Sequence, residues 1–214
     1  MPSFKEVIIQ ANSVRRYLGY PQSSNLKKYS TKNPFAYRQI ERFVLAILKE
    51  INDKNPNPQK ILDIGCGEGL IPTYGGLDFT GLDLSPSALQ IANKINKRSH
   101  FLCGSGDHLP FGSTSFDLIL CLEVMEHVPT PDLLLQELDR VLTPEGVALV
   151  TVPYSRIYRT LNLIRFKNVR RLGEDKDHTF RFNPRLFRKI LSHHFTSVQI
   201  KHTIPWLIGI GSKC

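Results

Sequence analysis

The sequence predicts an α/β fold, a mostly parallel sheet with helices on both faces. Three observations carry that reading. Short apolar runs alternate with helical patterns between residues 60 and 153, as parallel sheets require. Polar or glycine-rich turns close the apolar runs. The chain has 214 residues, enough for one medium domain with appendages and a full sheet-and-helix core.

Residues 4–18 fit a short amphipathic helix, followed by a polar stretch over 21–33. Asn33-Pro34 is a helix start, an N-cap residue with proline at the first helical position. Ala36, Ile40, Phe43, Val44, Ile47, Leu48 and Ile51 then recur at helical spacing until Asn55-Pro56-Asn57-Pro58 ends the helix. A first strand over 61–64 runs into Gly65-Cys66-Gly67-Glu68-Gly69, and a second strand covers 79–84. Ser85-Pro86 starts a helix carrying Leu89, Ile91, Ala92 and Ile95, and strands follow over 100–103 and 117–122. Thr130-Pro131 opens another helix, whose apolar face is Leu134, Leu135, Leu138, Val141 and Leu142. Pro144-Glu145-Gly146 turns into a fifth strand over 147–152. Beyond Pro153 come a basic, aromatic-laced segment over 156–171, a helix after Asn183-Pro184, a sixth strand over 196–203 and a final one over 205–212.

Composition excludes several classes. Cys66, Cys103, Cys121 and Cys214 form no CxxC pair and no zinc spacing, which argues for free thiols in a reducing compartment. No run approaches the roughly 18–20 apolar residues that span a bilayer. The longest, over 118–125, is broken by Glu123, and the first residues lack a signal-peptide pattern. A disulfide scaffold, an integral membrane protein and a fibrous repeat are excluded, and a cytoplasmic protein is expected.

The net charge of +9 is unevenly placed. Residues 1–60 carry 11 Lys and Arg against 4 Asp and Glu, residues 61–150 carry 4 against 12, and residues 151–214 carry 13 against 3. An acidic centre between basic flanks reads either as ordinary solubility or as flanks that meet an anionic partner: a phosphate-bearing substrate, a membrane surface or RNA.

The chemistry concentrates after the strands. A GxGxG turn behind a buried strand brings backbone close to a ligand at a helix N-terminus. A dinucleotide fingerprint needs a third glycine three positions after the second, and Leu70 stands there, which disfavours a nicotinamide or flavin enzyme. Asp83 ends the second strand, where a carboxylate accepts ribose hydroxyls. Asp107, after the third strand, suits an exocyclic adenine amine, and Glu123-Val124-Met125-Glu126-His127 follows the fourth. Four polar clusters thus share one sheet edge, where doubly wound folds bind ligands. No His, Cys, Asp or Glu grouping has metal-ligand spacing, so no metal is expected.

The set ILDIGCGEG (61–69), GLDLS (81–85), GDHLPF (106–111), SFDLILCLEVMEHV (115–128) and LDRVLTPEGVALVTVP (138–153) resembles the class I S-adenosylmethionine-dependent methyltransferases, of the type that includes quinone-biosynthesis and many small-molecule enzymes. The resemblance implies a Rossmann-like, doubly wound, seven-stranded sheet of order 3-2-1-4-5-7-6 with one antiparallel strand. It also implies S-adenosyl-L-methionine as cofactor, with S-adenosyl-L-homocysteine as product. Asp63, Gly65, Cys66, Gly67 and Gly69 would line its methionine and ribose portion, and Asp83 would hold the ribose hydroxyls. Leu84 would pack on the adenine, Asp107 with the His108 backbone would take its amine, and Leu122 with Glu123 would lie near the methionine end. The organisation implied is an N-terminal helical segment (1–58), a cofactor-binding core (59–153), a lid or acceptor-binding insertion (154–194) and C-terminal strands completing the sheet (195–214).

One departure stands out. Asp83 stands only 14 positions after Gly69, and Pro72, Gly75 and Gly76 interrupt the stretch, so the first helix is expected to have one or two turns at most.

Methyl transfer to oxygen or nitrogen needs a positioned acceptor and a group to take its proton. His127 is the first candidate base, with a packing or capping role as the alternative. His178, in the covering region, is a candidate substrate contact, and Glu123 and Glu126 are further options. His193-His194 reads as solvated. Residues 156–172 fit a basic amphipathic helix, suited to a pocket cover or an anionic membrane. The expected acceptor is small or lipid-like, including glycan-linked molecules. An RNA methyltransferase using the basic flanks is an alternative, made less favoured by missing adenine-N and cytosine-carbon motifs. A non-catalytic binding module is another.

Overall fold

The computed structural model describes residues 34–69, 76–164 and 179–213. The helix expected near 4–18, residues 70–75 where a short first helix is expected, and the basic segment beyond residue 164, including His178, lie outside them.

The helix predicted after Asn33 is α1, Pro34–Lys54. The strands and helices of the core follow in alternation: β1 (Ile61–Ile64), β2 (Thr80–Asp83), α2 (Pro86–Ile95), β3 (His100–Cys103), β4 (Phe116–Leu122), α3 (Pro131–Val141) and β5 (Leu142–Pro153). Then come α4 (Ser155–Ile164), α5 (Pro184–Leu191), β6 (Ser197–Thr203) and β7 (Trp206–Ser212). The seven strands form one sheet of order β3-β2-β1-β4-β5-β7-β6. Strands β1 to β5 pair in parallel, and β7 runs antiparallel to both β5 and β6.

Alternation along buried strands builds a core on each face. Ile119 and Cys121 of β4 and Ala148, Val150 and Val152 of β5 point to one side, against Leu134, Leu135 and Leu138 of α3 and Phe187 and Leu191 of α5. Leu118, Leu120, Val147 and Leu149 point to the other, against Phe43, Val44, Ile47 and Leu48 of α1 and Leu89 of α2. The helices therefore lie on both faces, as the sequence predicts.

Local chemistry sets several helix starts. The Ser85 hydroxyl accepts from Ala88 N at the head of α2, and Asn183 Oδ1 accepts from Leu186 N at the head of α5. Thr130 makes no side-chain cap bond, so α3 starts on Pro131 alone. The fifth strand begins earlier than predicted. Leu142 pairs with Phe116 ahead of a register irregularity between Phe116 and Leu118, so Pro144-Glu145-Gly146 lies inside β5. His194 is another correction: it approaches Asp132 of α3 at 3.1 Å and its side chain is mostly covered. No helix among the described residues is long and apolar enough to cross a membrane.

Candidate functional site

The predicted site residues gather at the carboxyl edge of the sheet, because β1 to β4 are parallel and their following loops emerge together. Asp63 sits near the end of β1, 4% exposed, and its carboxyl is pushed up to about 8 by burial and by the neighbouring charge of Asp83. The glycine turn follows. Gly65 (φ +67°) lies against the loop after β4, where an added Cβ would come within 2.3 Å of Val124. Gly67 (φ +53°) differs, since an added Cβ there would meet nothing within 4 Å among the described residues. Its backbone N–H donates to Asp83 Oδ2 at 2.8 Å, and Ser85 N donates to Asp83 Oδ1 at 2.8 Å. One carboxylate thus ties the glycine turn to the head of α2. About four lone-pair sites on a carboxylate leave capacity for two further donors.

Cys66 holds a different place. Its thiol is buried beneath Gly81, whose added Cβ would lie 2.7 Å from the sulfur, and it belongs to the core. Burial pushes that thiol well above its ordinary value, so it is inert and only its backbone lies in the turn. Gly69 closes the turn, its N–H donating to Cys66 O at 2.8 Å. Leu84 is 72% exposed, an apolar surface beside Asp83. Asp107 and His108 are exposed on the turn after β3, and Leu122 is half-buried at the end of β4.

The second half of the edge is built around Glu123. Its backbone is in the left-handed region (φ +59°), rare for a residue with a side chain. Three contacts hold it there. Glu123 N donates to Thr151 Oγ1 at 3.0 Å, the Thr151 hydroxyl donates to Glu123 Oε1 at 3.0 Å, and the Trp206 indole N–H donates to Glu123 Oε2 at 2.8 Å. Trp206 in turn lies against Phe43 of α1, ring centres 4.7 Å apart. Glu126 is 1% exposed, and its Oε2 has no hydrogen-bond partner among the described residues. Burial holds both carboxyls above the ordinary carboxylate range, and the charge of Glu123 raises Glu126 further. His127 is exposed, with Nε2 3.9 Å from Glu126 Oε1. Thr179 N donates to Glu126 O at 2.8 Å, which brings the start of the C-terminal described segment to the same loop.

Sequence reasoning missed Thr151 and passed over Trp206. The topology could have found both. An antiparallel β7 beside β5 pairs Pro153 with Trp206, which puts the single tryptophan at the carboxyl edge. Glu137 and Arg140, which brace the loop after Asp107, were also missed.

The model of a family described as "Methyltransferase domain" matches residues 62–150, the span that carries this edge. Those residues are a class I S-adenosylmethionine-dependent methyltransferase domain. The methyltransferase domain has curated relatives across kingdoms. The mitochondrial ubiquinone biosynthesis O-methyltransferase of Schizosaccharomyces pombe is 34% identical over 135 residues, covering 57% of this chain and 48% of that protein. Norajmaline N-methyltransferase of Rauvolfia serpentina is 32% identical over 114 residues, covering 49% and 39%. The chain spans about half the length or less of these curated relatives. Among solved structures, a methyltransferase of Thermotoga maritima described as a possible histamine N-methyltransferase superposes with TM-score 0.62 at 21% identity, covering 83% of this chain and 92% of that one. It shares the fold.

S-adenosylmethionine is the cofactor of this family, and the residues of the methyltransferase domain fit it. The open space over Gly67 is a cradle that any side chain would fill. The Asp83 carboxylate supplies negative charge, the buried Asp63 carboxyl, pushed up to about 8 in the empty site, can ionise against a sulfonium or an ammonium group, and Leu84 offers an exposed apolar face.

Proposed function

We propose that this protein transfers a methyl group from S-adenosylmethionine to an oxygen or nitrogen of a small or lipid-like acceptor. One observation carries the reading. The cofactor-shaped half of the edge (Asp63, Gly67, Asp83) adjoins a half built from the buried carboxyl of Glu126 and the half-buried one of Glu123, with an exposed histidine beside them. Asp63 and the glycine turn would take the amino-acid portion, Asp83 the ribose hydroxyls, and Asp107 the adenine amine. The bound cofactor supplies an electrophilic methyl group on a sulfonium.

The chain's own residues then have two tasks. The first is to orient the acceptor, which supplies much of the acceleration in an in-line displacement. Trp206, locked between Phe43 and Glu123, gives a fixed apolar wall. The second is to manage the acceptor's proton. Glu123 and Glu126 repel each other when both are ionised, so the pair keeps a proton into the neutral range. In this reading the pair, with His127 at its exposed side, takes the proton that the acceptor gives up.

The acceptor class draws support from the relatives, named for ubiquinone biosynthesis O-methylation and norajmaline N-methylation. A lipid-like acceptor, free or glycan-linked, is favoured by α4, where Ile157 and Tyr158 lie beside Arg156 and Arg159 in the sequence that follows the carboxyl end of β5. The same helix would let a cytoplasmic protein rest on an anionic membrane.

Calorimetric titration with S-adenosylhomocysteine is the first test, beside Asp83→Ala with its fold checked by circular dichroism. Binding should weaken by about tenfold or more in the variant, the scale of losing charge-assisted hydrogen bonds. No binding by the native, folded protein overturns the proposal. Transfer of labelled methyl to phenols and amines with and without a prenyl tail then sorts the acceptor.

A further inference from the structure

The turn that carries Asp107 is anchored by a side-chain pair with no other evident task. Arg140, in the last turn of α3, donates through Nη1 to Phe111 O at 2.7 Å and through Nη2 to Leu109 O at 3.1 Å. The same guanidinium makes a two-pronged bond to Glu137, Nε to Oε1 at 2.7 Å and Nη2 to Oε2 at 2.8 Å. Glu137 Oε2 also accepts from Leu109 N at 2.7 Å. The backbone carbonyl of Arg140 takes a further bond from Thr114 N at 2.9 Å. Both backbone groups of Leu109, one residue past His108, are therefore fixed to two charged side chains one helical turn apart.

On the other side of Asp107, an added Cβ at Gly106 would come within 2.8 Å of Leu134, also on α3, and 3.0 Å of Ile64 on β1. The turn is thus pressed against α3 before Asp107 and bonded to α3 after it. Between these anchors only Asp107 and His108 face solvent. A planar guanidinium that spans two carbonyls and a carboxylate fixes direction as well as distance, which a lysine cannot do.

We propose that Glu137 and Arg140 are positioning residues that aim Asp107 at the adenine amine and so set the protein's preference for an adenosyl over an inosyl cofactor. The inference rests on the reading of Asp107 as the adenine contact. Neither residue touches the ligand. They act by holding the loop at Leu109 and Phe111.

The test compares binding of S-adenosylhomocysteine and S-inosylhomocysteine, in which a carbonyl oxygen replaces the amine. The native protein should favour the adenosyl ligand by about tenfold or more, since a carboxylate facing that oxygen has no donor to accept from. Asp107→Asn provides an amide donor for the oxygen and should shift the preference toward the inosyl ligand. Arg140→Met keeps the aliphatic stem and removes the fork, and Glu137→Gln keeps the shape and removes the charge. Both should reduce the ratio toward unity, Arg140→Met more. Should Arg140→Met fail to fold, Glu137→Gln alone decides. A loss of affinity equal for the two ligands, with the ratio unchanged, would mean a purely structural brace and overturn the inference. An unchanged ratio in Asp107→Asn would instead remove the adenine reading of Asp107, a separate failure.

Discussion

Gly67 combines a left-handed backbone with empty space where a side chain would begin. The two properties separate stability from binding. Alanine at this position meets no atom of the described residues, so Gly67→Ala should cost the left-handed penalty, about 1–2 kcal/mol. The same methyl group would occupy the cradle over the turn, so binding of S-adenosylhomocysteine should fall far more than stability does. Urea unfolding and calorimetry on one preparation measure both, and proportionate losses would contradict the cradle. Residues of this kind were legible in the sequence because their chemistry is local: a glycine spacing, or an aspartate at the end of an apolar run. Glu137 and Arg140 were not, because an Arg three residues after a Glu on a helix also describes an ordinary surface pair. Only the fold brings the loop carbonyls of Leu109 and Phe111 to that guanidinium. Cys66 shows the converse, a residue inside the motif whose side chain serves the core.

At the scale of elements, α1 is fastened to the far edge of the sheet by a partly buried ion pair, with a hydrogen bond from Lys54 Nζ to Gln199 Oε1 at 3.0 Å beside it. Lys201 of β6 donates to both Oε1 and Oε2 of Glu50 at 2.7 Å, and Glu50 is 5% exposed while the lysine remains partly in solvent. Lys201→Met removes the partner and leaves a covered carboxylate, at a cost of about 1–3 kcal/mol. Glu50→Gln with Lys201→Met should recover part of that loss, because a neutral amide is cheaper to cover than a charge. Denaturant midpoints of the single and double variants check this, and equal losses would show that the pair contributes nothing beyond packing. Element order, helix faces and the side-chain caps of α2 and α5 were readable from periodicity and from Ser85 and Asn183. The start of β5 was not. Whether Leu142 ends a helix or begins a strand depends on Phe116 lying beside it, a long-range pairing that no local pattern encodes. The pairing of His194 with Asp132 was hidden for the same reason.

For the molecule as a whole, the acidic middle of the sequence becomes one edge of the sheet. Asp63, Glu68, Asp83, Asp107, Glu123 and Glu126 account for half of the 12 carboxylates between residues 61 and 150. Concentrating them beside a buried sheet edge suits a cationic cofactor and strains the empty protein. Asp63, Glu123 and Glu126 all have folded-state pKa values above their ordinary ones, so the folded state binds more protons than the unfolded chain. Stability therefore falls as pH rises. For Asp63 the window opens near its ordinary value of 3.8 and closes at about 8. Within it, a proton held only by the folded state contributes a slope of about 1.4 kcal/mol per pH unit, an upper value that partial titration reduces. Asp63→Asn cannot titrate and should flatten the decline across pH 5 to 8 while leaving the share of Glu123 and Glu126 in place. Urea unfolding of the two proteins at several pH values measures the difference in slope. Parallel lines would mean that Asp63 is already ionised in the folded protein, its charge balanced without a ligand, and that burial and Asp83 do not hold a proton on it.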